Sequence, residues 1–427
     1  MKICVIGLGK IGLPLAVHFA KMGNSVIGSD INKATVDLIN SGNEPFPEEE
    51  NLQQFLDEVI RSKKLTATTD NMDAVSKSDI VVVVVPLFVD ANAIPDFKAM
   101  DAVTRDIGKA LRKGMLISYE TTLPIGTTRE RFLPVLEELS GLKAGIDFNL
   151  VFSPERVLTG RVFSDLRKYP KIVGGVTESC TQAGVAFYSK VIEFDIRSDL
   201  PKPNGVWAMD SSESSEFVKL AETTYRDVNI GLANQFARFA NSMDLNVHDV
   251  ITAANSQPFS HIHAPGISVG GHCIPIYPQF YLWNDPKASI VSAARATNSA
   301  MPMRAVELIE ARVGSLSSLN VAVFGISYRP KVKETAFSGS LELLKILKSI
   351  GANVYGVDPL YSESEIESLG FKDLDNPEQI DVIIIHTAHE EFTSFDYSVF
   401  TKLKLILDGR HTLNPQIDTI KPLILQM

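Results

Sequence analysis

The stretch Lys2-Ile-Cys-Val-Ile-Gly-Leu-Gly-Lys-Ile-Gly12 decides the fold of the first part of this chain. Its apolar, β-branched beginning predicts a buried strand, and the Gly-x-Gly-x-x-Gly sequence that follows opens an amphipathic helix to about Met22. A second strand is predicted over residues 25–30, and it ends in Asp30. Strand, glycine loop, helix and a strand that ends in an acid together form the dinucleotide-binding fingerprint, whereas an accidental glycine-rich turn would lack this context.

Each part of this fingerprint has a physical role. The glycines permit a tight turn and a close approach of the backbone, and the helix N-terminus faces the pyrophosphate of a dinucleotide. The Asp30 carboxylate would accept hydrogen bonds from the adenosine ribose and would repel a 2′-phosphate, which favours NAD over NADP. The predicted cofactor-binding residues are Gly7, Gly9, Lys10, Ile11, Gly12, Asp30, Pro86 and Thr121.

The composition is that of a soluble globular protein. The chain has 427 residues, of which 45% are hydrophobic and 22% are charged, and its length predicts two or three domains. A net charge of −10 argues against a nucleic-acid partner, whose binding domain would be basic. The three cysteines make no disulfide framework, no secretory signal is visible, and the longest apolar run, residues 80–85, is too short to cross a membrane. We therefore expect a cytoplasmic protein that binds neither a membrane nor a metal.

Three further apolar runs predict parallel strands, over residues 80–86, 114–120 and 149–155. Each run ends in polar residues, and ligands of open α/β sheets bind at the carboxyl ends of the strands. Thr122 and Glu155 are therefore predicted to face one crevice together with the cofactor. The alternative is that both belong to ordinary turns, because Thr before Leu-Pro and Ser-Pro-Glu are also plain loop sequences.

A long helix is predicted from about Glu213 to Met243, and Ser211 and Ser212 can cap it. At 1.5 Å per residue it spans roughly 45 Å, which is long enough to reach a neighbouring subunit. This length suggests a two-fold homodimer or a higher homo-oligomer. Burial on more than one side of the helix is predicted from its apolar residues Phe217, Leu220, Ala221, Ala233, Phe236 and Phe239.

Lys219 interrupts the apolar surface of this helix, and Thr223 lies one turn further on, so the two side chains adjoin. One interpretation is a lysine at the helix edge that extends its ammonium group into solvent. The other is a buried ammonium group that stabilises a developing oxyanion.

Cys273 lies in the segment Gly270-Gly-His-Cys-Ile-Pro275, which suits neither a helix nor a strand. The two glycines let the backbone bend and approach other groups closely, and the prolines at 275 and 278 stiffen the exit. Such a segment holds a thiol in a loop or at a helix entrance, where a reactive thiolate can form. The alternative is a buried structural cysteine, since free cysteines are often buried.

The last third of the chain loosely repeats its beginning. Residues 321–358 predict a strand, a glycine, a helix and a strand that ends in Asp358. The phosphate-binding glycine pattern is absent, so the repeat is interpreted as architectural. Arg329, Lys331 and Lys333 form a basic cluster that suits either a diphosphate or a solvated loop. The predicted fold class is α/β, with two Rossmann-like doubly wound domains joined by a central helical domain that contains one long helix.

Taken together, several segments resemble the UDP-glucose/GDP-mannose dehydrogenase family of nucleotide-sugar 6-dehydrogenases, across nearly the whole chain. Ser-Pro-Glu-Arg and Gly-Gly-His-Cys are more similar to the branch that oxidises UDP-N-acetylhexosamines than to the UDP-glucose branch. The segments that carry the resemblance are the 7–12 loop with Asp30, Thr121-Thr-Leu-Pro-Ile-Gly126, Ser153-Pro-Glu-Arg156, Glu216-Phe-Val-Lys-Leu-Ala-Glu222, Tyr225-Arg-Asp-Val-Asn-Ile230, Gly270-Gly-His-Cys-Ile274 and Asp408-Gly-Arg410.

The resemblance implies a four-electron oxidation of the C6 hydroxyl of a UDP-glucose or UDP-N-acetylhexosamine to a carboxylate, with two NAD. Cys273 would be the nucleophile that forms a thiohemiacetal and then a thioester. Lys219 and Thr223 would stabilise the oxyanions, and Glu155 and Thr122 would position the hydrolytic water. The substrate-binding residues implied are Arg156, Gly270, Arg329 and Lys331.

The resemblance also divides the chain into three domains. Residues 1–200 would bind NAD, residues 201–314 would form the central helical and dimerisation domain, and residues 315–427 would bind the nucleotide sugar.

The chain departs from the family at three places. Thr223 stands where many relatives have Asn, Tyr277 stands where they have Asp, and Lys333-Glu-Thr-Ala336 stands where they often have Asp-x-x-Arg. The first two departures leave open a nucleotide-sugar-binding paralogue with weak or no turnover. A two-electron dehydrogenase of the β-hydroxyacid type is a further alternative, but it leaves Cys273 and the last third unexplained. The sequence identifies neither the sugar nor the pathway.

Overall fold

The computed structural model describes residues 1–90, 92–413 and 424–427. The chain divides into two compact units. Unit 1 consists of Met1–Ala221 and Gln279–Asn284, and unit 2 consists of Glu222–Pro278 and Asp285–Met427. The predicted domain boundaries at 200/201 and 314/315 do not coincide with the unit boundary after Ala221, and they stay a prediction.

Unit 1 is built around a mostly parallel sheet. Among its described residues, eight strands form one sheet in the order β10-β9-β8-β7-β4-β1-β2-β3, and β5 pairs with β6 in an antiparallel hairpin. Every residue of β4 and β7 is buried, as expected of strands covered on both faces. The strands are β1 (Lys2–Ile6), β2 (Ser25–Ser29), β3 (Leu65–Thr68), β4 (Ile80–Val83), β5 (Phe88–Val89), β6 (Pro95–Asp96), β7 (Leu116–Tyr119), β8 (Asn149–Phe152), β9 (Lys171–Gly175) and β10 (Val206–Ala208).

One strand pair in this sheet is antiparallel. Strand β9 runs against β8, with Val151 opposite Gly175 and Phe152 opposite Gly174. The neighbouring pairs, β7 with β8 and β9 with β10, are parallel. The start of β9, at Lys171, therefore lies at the edge of the sheet where β7 and β8 end.

Three helices of unit 1, α2, α4 and α8, begin at a short polar side chain that caps them. Asn32 accepts a hydrogen bond from the N–H of Ala34 (3.0 Å) at the start of α2, and Thr177 accepts one from the N–H of Cys180 (3.2 Å) at the start of α8. A π-helical turn over Thr128–Phe132 leads into α6. The helices are α1 (Gly12–Lys21), α2 (Lys33–Asn40), α3 (Leu52–Arg61), α4 (Asn71–Ser76), α5 (Lys98–Ala110), α6 (Leu133–Ser140), α7 (Val162–Lys168) and α8 (Glu178–Val191).

The predicted long helix, α9, spans Ser212–Ser242. Ser211 caps it, since its Oγ accepts a hydrogen bond from the N–H of Ser214 at 3.1 Å, whereas the Ser212 hydroxyl donates to Glu213. At 31 residues the helix is about 46 Å long.

The prediction of burial on several sides of α9 is only partly correct. Leu220 and Ala233 are fully buried, and Ala233 packs with Ala237, Ala240, Val247 and Ile251 in one hydrophobic cluster. The prediction is wrong for Ala221, Phe217, Phe236 and Phe239, which are exposed. Positions 236 and 239 lie on a different side of the helix from the alanines, whose spacing of three and four residues defines the packed face.

Unit 2 contains a second parallel sheet, in the order β12-β11-β13-β14-β15 among the described residues. Alternate residues of its central strands enter two separate cores. Val321 and Val323 belong to one cluster, and Ala322 and Phe324 belong to the other. Both faces are therefore covered by apolar side chains, which confirms the predicted α/β fold class with a second Rossmann-like sheet. The strands are β11 (Asn320–Phe324), β12 (Asn353–Val357), β13 (Val382–Ile385), β14 (Leu405–Asp408) and β15 (Ile424–Gln426).

Five further α-helices follow α9 in the described part of the chain, together with three short 3-10 helices after α14. Helix α12 contains Pro302 within its 25 residues. Within the described ranges, no helix is long and apolar enough to cross a membrane. The helices are α10 (Val247–Ala254), α11 (Tyr277–Asn284), α12 (Ser289–Val313), α13 (Gly339–Ser349) and α14 (Glu363–Ser368).

Candidate active site

The glycine loop of unit 1 has the geometry of a dinucleotide cradle. Gly7 has a φ of +92°, and a Cβ atom there would lie 2.9 Å from the carbonyl oxygen of Val84, so only glycine fits. Gly9 is exposed and no described heavy atom lies within 4 Å of its Cβ position, which leaves the loop open to a ligand. Gly12 begins α1, whose N-terminus follows the loop directly.

The other predicted cofactor residues of unit 1 surround this loop. The Oδ2 atom of Asp30 accepts the N–H of Leu8 at 2.7 Å, which holds the acid beside the loop. Thr121 donates from Oγ1 to the carbonyl of Val85 at 2.6 Å, immediately before the exposed Pro86. These residues follow β2, β4 and β7, so they lie at the carboxyl ends of the strands.

Two predicted cofactor residues lie within the glycine loop itself. Lys10 forms an ion pair with Glu48 at 2.7 Å, and Ile11 is the residue that precedes α1. The loop, the helix N-terminus and Asp30 together fit the pyrophosphate and ribose of NAD. NAD would supply the hydride acceptor at this edge of the sheet.

Thr122 and Glu155 follow neighbouring strands in the same register. Tyr119 of β7 lies opposite Phe152 of β8, and each predicted site residue comes three positions later. The N–H of Glu155 donates to the carbonyl of Glu120 at 3.2 Å, which joins the two loops. The structure therefore brings the Thr122 and Glu155 segments to one edge of the sheet, as predicted.

The Glu155 carboxylate is held by a buried cation. Lys171 donates to Oε2 of Glu155 at 2.8 Å and to Oε2 of Glu120 at 2.7 Å. The N–H of Arg156 donates to Oε1 of Glu155 at 2.8 Å. Burial acts to raise the pKa of Glu155, but the Lys171 ammonium outweighs it and keeps the pKa below its usual value. Sequence reasoning missed Lys171, because an all-parallel sheet would place the start of β9 at the opposite edge.

Glu120 carries the second buried carboxylate of this cluster. Tyr188 of α8 donates to its Oε1 atom at 2.5 Å, and Ser118 lies 2.7 Å from the Tyr188 hydroxyl. Burial raises the pKa of Glu120 to about 7, against the opposing effect of Lys171. A signal for Glu120 existed in the sequence, since an acid that directly follows a fully apolar strand lies at the ligand edge.

The Lys219 side chain is buried rather than extended into solvent. Lys219 is 5% exposed, and Thr223, one turn later on α9, is fully buried. This burial contradicts the interpretation of a lysine that reaches solvent from the helix edge. Burial strengthens the interaction of an ammonium group with a neighbouring negative charge.

Glu216, three residues before Lys219, fastens α9 to the loop that follows Thr122. Its carboxylate accepts the N–H of Gly126 at 2.6 Å and the N–H and hydroxyl of Thr128 at 2.9 and 2.7 Å. Burial raises the pKa of Glu216 to about 7. Because Lys219 lies one turn away on the same helix, this contact orients the lysine relative to the Thr122 loop.

Cys273 is the accessible cysteine of the chain. Cys4 and Cys180 are buried, and burial raises the pKa of Cys4 to about 12. Cys273 is partly exposed, and its carbonyl oxygen accepts the N–H of Tyr277 at 2.9 Å. Tyr277 begins α11, so Cys273 lies in the loop that leads into this helix, which agrees with the prediction of a loop or a helix entrance.

A buried polar network in unit 2 holds both ends of the Cys273 segment. Asn234 of α9 accepts the N–H of Gly266 at 2.9 Å. Arg295 of α12 donates to the carbonyl of Pro275 at 3.2 Å and pairs with Asp227 of α9 at 2.7 Å. These polar side chains are buried, and sequence reasoning missed them because nothing in their local sequence distinguishes them from ordinary helix residues.

The predicted substrate residues of unit 2 partly come together. A Cβ atom on Gly270 would lie 2.6 Å from the Cβ of Tyr328, so the Cys273 segment packs closely against the residue that precedes Arg329. Arg329 donates to the Tyr328 hydroxyl at 2.9 Å. Lys331 is exposed and lies 3.6 Å from the exposed Glu390, which favours a solvated position for this lysine.

Arg410, in the Asp-Gly-Arg sequence, is directed inward. It donates to the carbonyls of His386 and Ser268, each at 2.9 Å.

Among the described residues, no group of three or more His, Cys, Asp or Glu side chains is arranged to hold a metal ion.

Comparison with known protein families gives three consecutive matches. Residues 1–192 match the NAD binding domain of the UDP-glucose/GDP-mannose dehydrogenase family, residues 213–300 its central domain and residues 322–415 its UDP binding domain. The first match confirms the prediction of NAD as the cofactor.

Individual proteins extend this similarity. The chain is 34% identical to a UDP-N-acetyl-D-mannosamine dehydrogenase of Pyrococcus horikoshii over 97% of its own length and 96% of that protein. A UDP-N-acetyl-D-mannosamine dehydrogenase of Campylobacter jejuni is 32% identical, over 91% of this chain and 93% of that protein.

Solved structures lead to the same family. The UDP-D-ManNAc dehydrogenase of Pyrococcus horikoshii has a TM-score of 0.87 at 32% identity, covering 97% of this chain and 96% of that chain. The UDP-N-acetyl-mannosamine dehydrogenase Cap5O of S. aureus has a TM-score of 0.83 at 32% identity, with the same coverage of 97% and 96%. Since the three domains match in order and these relatives cover nearly the whole chain, the protein belongs to the UDP-glucose/GDP-mannose dehydrogenase family.

Proposed function

We propose that the protein oxidises the C6 hydroxyl of a UDP-N-acetylhexosamine to a carboxylate, with UDP-N-acetyl-D-mannosamine as the first substrate to test. One observation carries the proposal: the similarity to named UDP-N-acetyl-D-mannosamine dehydrogenases extends over 97% of the chain. The reaction removes four electrons from each sugar, and two NAD molecules are reduced for each carboxylate formed. A homo-oligomer in the cytoplasm is part of the same proposal.

Cys273 is the proposed nucleophile. After the first oxidation its thiolate adds to the C6 aldehyde and forms a thiohemiacetal, whose carbon still bears a hydrogen. The second oxidation converts this adduct into a thioester, and water then releases the acid and restores the thiolate. The partly exposed position of Cys273 in the loop before α11 supports this role, because Cys4 and Cys180 are buried.

Lys219 and Thr223 are the proposed oxyanion-stabilising pair. Both the first alkoxide and the tetrahedral adducts on Cys273 develop negative charge on the former C6 oxygen. The burial of Lys219 supports its role, since a desolvated ammonium group stabilises an adjacent oxyanion more than a hydrated one does. Thr223 supplies one hydroxyl donor at the position where many relatives have an amide.

Glu155 and Thr122 are proposed to position the hydrolytic water. Glu155 keeps its carboxylate ionised beside Lys171 and therefore remains a proton acceptor at neutral pH.

Arg156, Gly270, Arg329 and Lys331 remain proposed substrate contacts. The inward direction of Arg410 and the solvated position of Lys331 leave Arg329 as the better supported of the basic side chains.

A substrate panel tests the proposed function. Purified protein is incubated with NAD and UDP-N-acetyl-D-mannosamine, UDP-N-acetylglucosamine, UDP-N-acetylgalactosamine or UDP-glucose. NADH is measured by absorbance, and the sugar product by mass spectrometry. We expect two NADH for each uronic acid with one of the N-acetylhexosamines.

Other stoichiometries would support other functions. One NADH for each sugar, without acid, would favour the two-electron dehydrogenase. Saturable binding of a UDP-sugar without reduction of NAD would favour a binding paralogue, which the Thr223 and Tyr277 departures motivate.

A further inference from the structure

The cluster of Glu120, Glu155, Lys171 and Tyr188 contains two carboxylates that pair with the same ammonium group. Glu120 and Lys171 are 1% and 5% exposed, and the Tyr188 side chain is fully buried. Two carboxylates share one ammonium group, so the cluster has a net charge of −1 when both carboxylates and Lys171 are ionised and Tyr188 is neutral. A buried charge without compensation is costly, whereas a single proton on one carboxylate neutralises the cluster.

The geometry permits that proton to move between the carboxylates. Lys171 lies 2.8 Å from Glu155 and 2.7 Å from Glu120, so one ammonium group bridges both acids. Burial raises the pKa of Glu120 to about 7, while the pKa of Glu155 lies below its usual value. The added proton is therefore more stable on Glu120 than on Glu155. Apart from the two acids and Lys171, the titratable group against Glu120 is Tyr188, which donates to it.

We propose that Glu120 is the final proton acceptor for thioester hydrolysis and that Lys171 carries the proton to it from Glu155. This inference rests on the proposed function. Water adds to the thioester carbon, and its proton passes to the Glu155 carboxylate. The C–S bond then breaks, and its electron pair leaves on Sγ of Cys273.

The proton moves on by an exchange at Lys171. One N–H proton of Lys171 passes to Glu120 while the ammonium group takes the proton from Glu155. Glu155 is then ionised again, Lys171 keeps its charge, and Glu120 is neutral. No electron is transferred in this step, and Glu120 loses its proton to solvent before the next turnover. Lys171 and Glu120 act through Glu155, and they are positioning and proton-holding residues that do not touch the substrate.

Glu120→Gln is the principal test, because glutamine keeps the size of the side chain but cannot accept the proton. The variant is mixed rapidly with NAD and UDP-N-acetyl-D-mannosamine, or with the sugar that the panel identifies. We expect an initial burst of two NADH per active site at a rate within about twofold of wild type. The steady-state kcat should then fall roughly 10-fold to 100-fold, since loss of general base assistance has effects of that size or larger. Intact-protein mass spectrometry should detect an acyl adduct on Cys273.

A second variant and a matched control complete the test. Lys171→Met removes the bridge and should cause the same accumulation of the adduct. Ser118→Ala removes only the hydrogen bond to Tyr188 and leaves all titratable groups, so it should lower Tm slightly without changing kcat. An unchanged kcat in Glu120→Gln, or a burst that falls as much as kcat without any adduct, would overturn the proton-transfer role. Fewer than two NADH per sugar in the wild-type protein would instead contradict the proposed function itself.

Discussion

Asn234 accepts the backbone N–H of Gly266 at 2.9 Å, so a residue in the middle of α9 holds the beginning of the segment that carries Cys273. The same side chain donates to Oδ1 of Asn298 at 2.8 Å. Asn298 in turn donates to the carboxylate of Asp227 at 2.8 Å. All of these side chains are buried, and therefore the loss of one member leaves partners without hydrogen bonds.

Replacing Asn234 should loosen the cysteine segment. Asn234→Leu leaves the N–H of Gly266 unpaired, and we expect a loss of about 1–3 kcal/mol in the free energy of unfolding. The alkylation rate of the Cys273 thiol by iodoacetamide should change, because its segment is no longer held in one position. Asn246→Ala is the control, since it removes the helix cap that accepts the N–H of His248 at a cost of about 1 kcal/mol. An alkylation rate that changes equally in both variants would contradict a specific role for Asn234.

The proposed nucleophile is tested by Cys273→Ala. Net formation of the acid should be abolished, because the aldehyde can no longer form a covalent adduct that donates the second hydride. The measurement is the uronic acid product by mass spectrometry, with NADH recorded in parallel. Cys180→Ala is the matched control, since Cys180 is fully buried and its replacement should reduce stability without preventing acid formation. Turnover similar to wild type in Cys273→Ala would refute the role.

Cofactor preference should depend on Asp30. Asp30→Asn removes the negative charge that repels a 2′-phosphate, so the ratio of kcat/KM for NAD to that for NADP should fall roughly tenfold or more. Asp358 is a matched control, because it follows the second strand of the other sheet and its Oδ2 atom accepts the N–H groups of Ile326 and Ser327. Asp358→Asn should reduce stability but leave the ratio unchanged. An unaltered ratio in Asp30→Asn would show that another residue selects the cofactor.

Local patterns in the sequence were sufficient for the fold and for part of the site. The glycine loop with Asp30 and the polar ends of β7 and β8 are signals within single segments, and the structure places them as predicted. Lys171 could not be predicted in this way, because it reaches Glu155 only through the antiparallel direction of β9. Phe152 of β8 lies opposite Gly174 of β9. Because the two strands are antiparallel, the residue three positions after Phe152, Glu155, comes opposite the residue three positions before Gly174, Lys171.

The outward aromatic residues of α9 show a second limit of sequence reasoning. Periodicity identifies an apolar helix, but it does not distinguish side chains that pack within the chain from those that remain exposed. Ala233 and Ala237 are buried in the chain itself, whereas Phe236 and Phe239 are exposed.

The stability of unit 2 should depend on pH through His386. Burial, and then the Arg410 guanidinium, lower the pKa of His386 to about 3. Its ring nitrogens lie 2.8 Å from the Ser268 hydroxyl and 3.0 Å from the carbonyl of Gly325, an arrangement that suits a neutral ring. In the unfolded chain the pKa is about 6.5. The stabilisation is therefore complete above about pH 6.5 and is lost as the pH falls towards 3, with a slope of at most about 1.4 kcal/mol per pH unit.

Urea denaturation between pH 4.5 and 7 measures this dependence. His386→Gln should reduce the slope, whereas His261→Gln, at an exposed position, should retain it. NMR of the histidine C–H signals gives a direct check, since the His386 signal should not titrate above about pH 4.5. Titration of that signal near pH 6 would contradict a neutral, buried ring.

The exposed aromatic residues of α9 predict a homodimer. Phe236 and Phe239 are 38% and 64% exposed, and their spacing of three residues places them on one side of the helix. Exposed apolar surface of this kind marks an interaction site, and a charge at its centre would be buried without a partner in a dimer. Phe239→Glu should therefore convert a dimer into a monomer in sedimentation velocity experiments. Ile196→Glu, at a fully exposed position of unit 1, should leave the dimer intact. A wild-type protein that sediments only as a monomer would rule out the dimer.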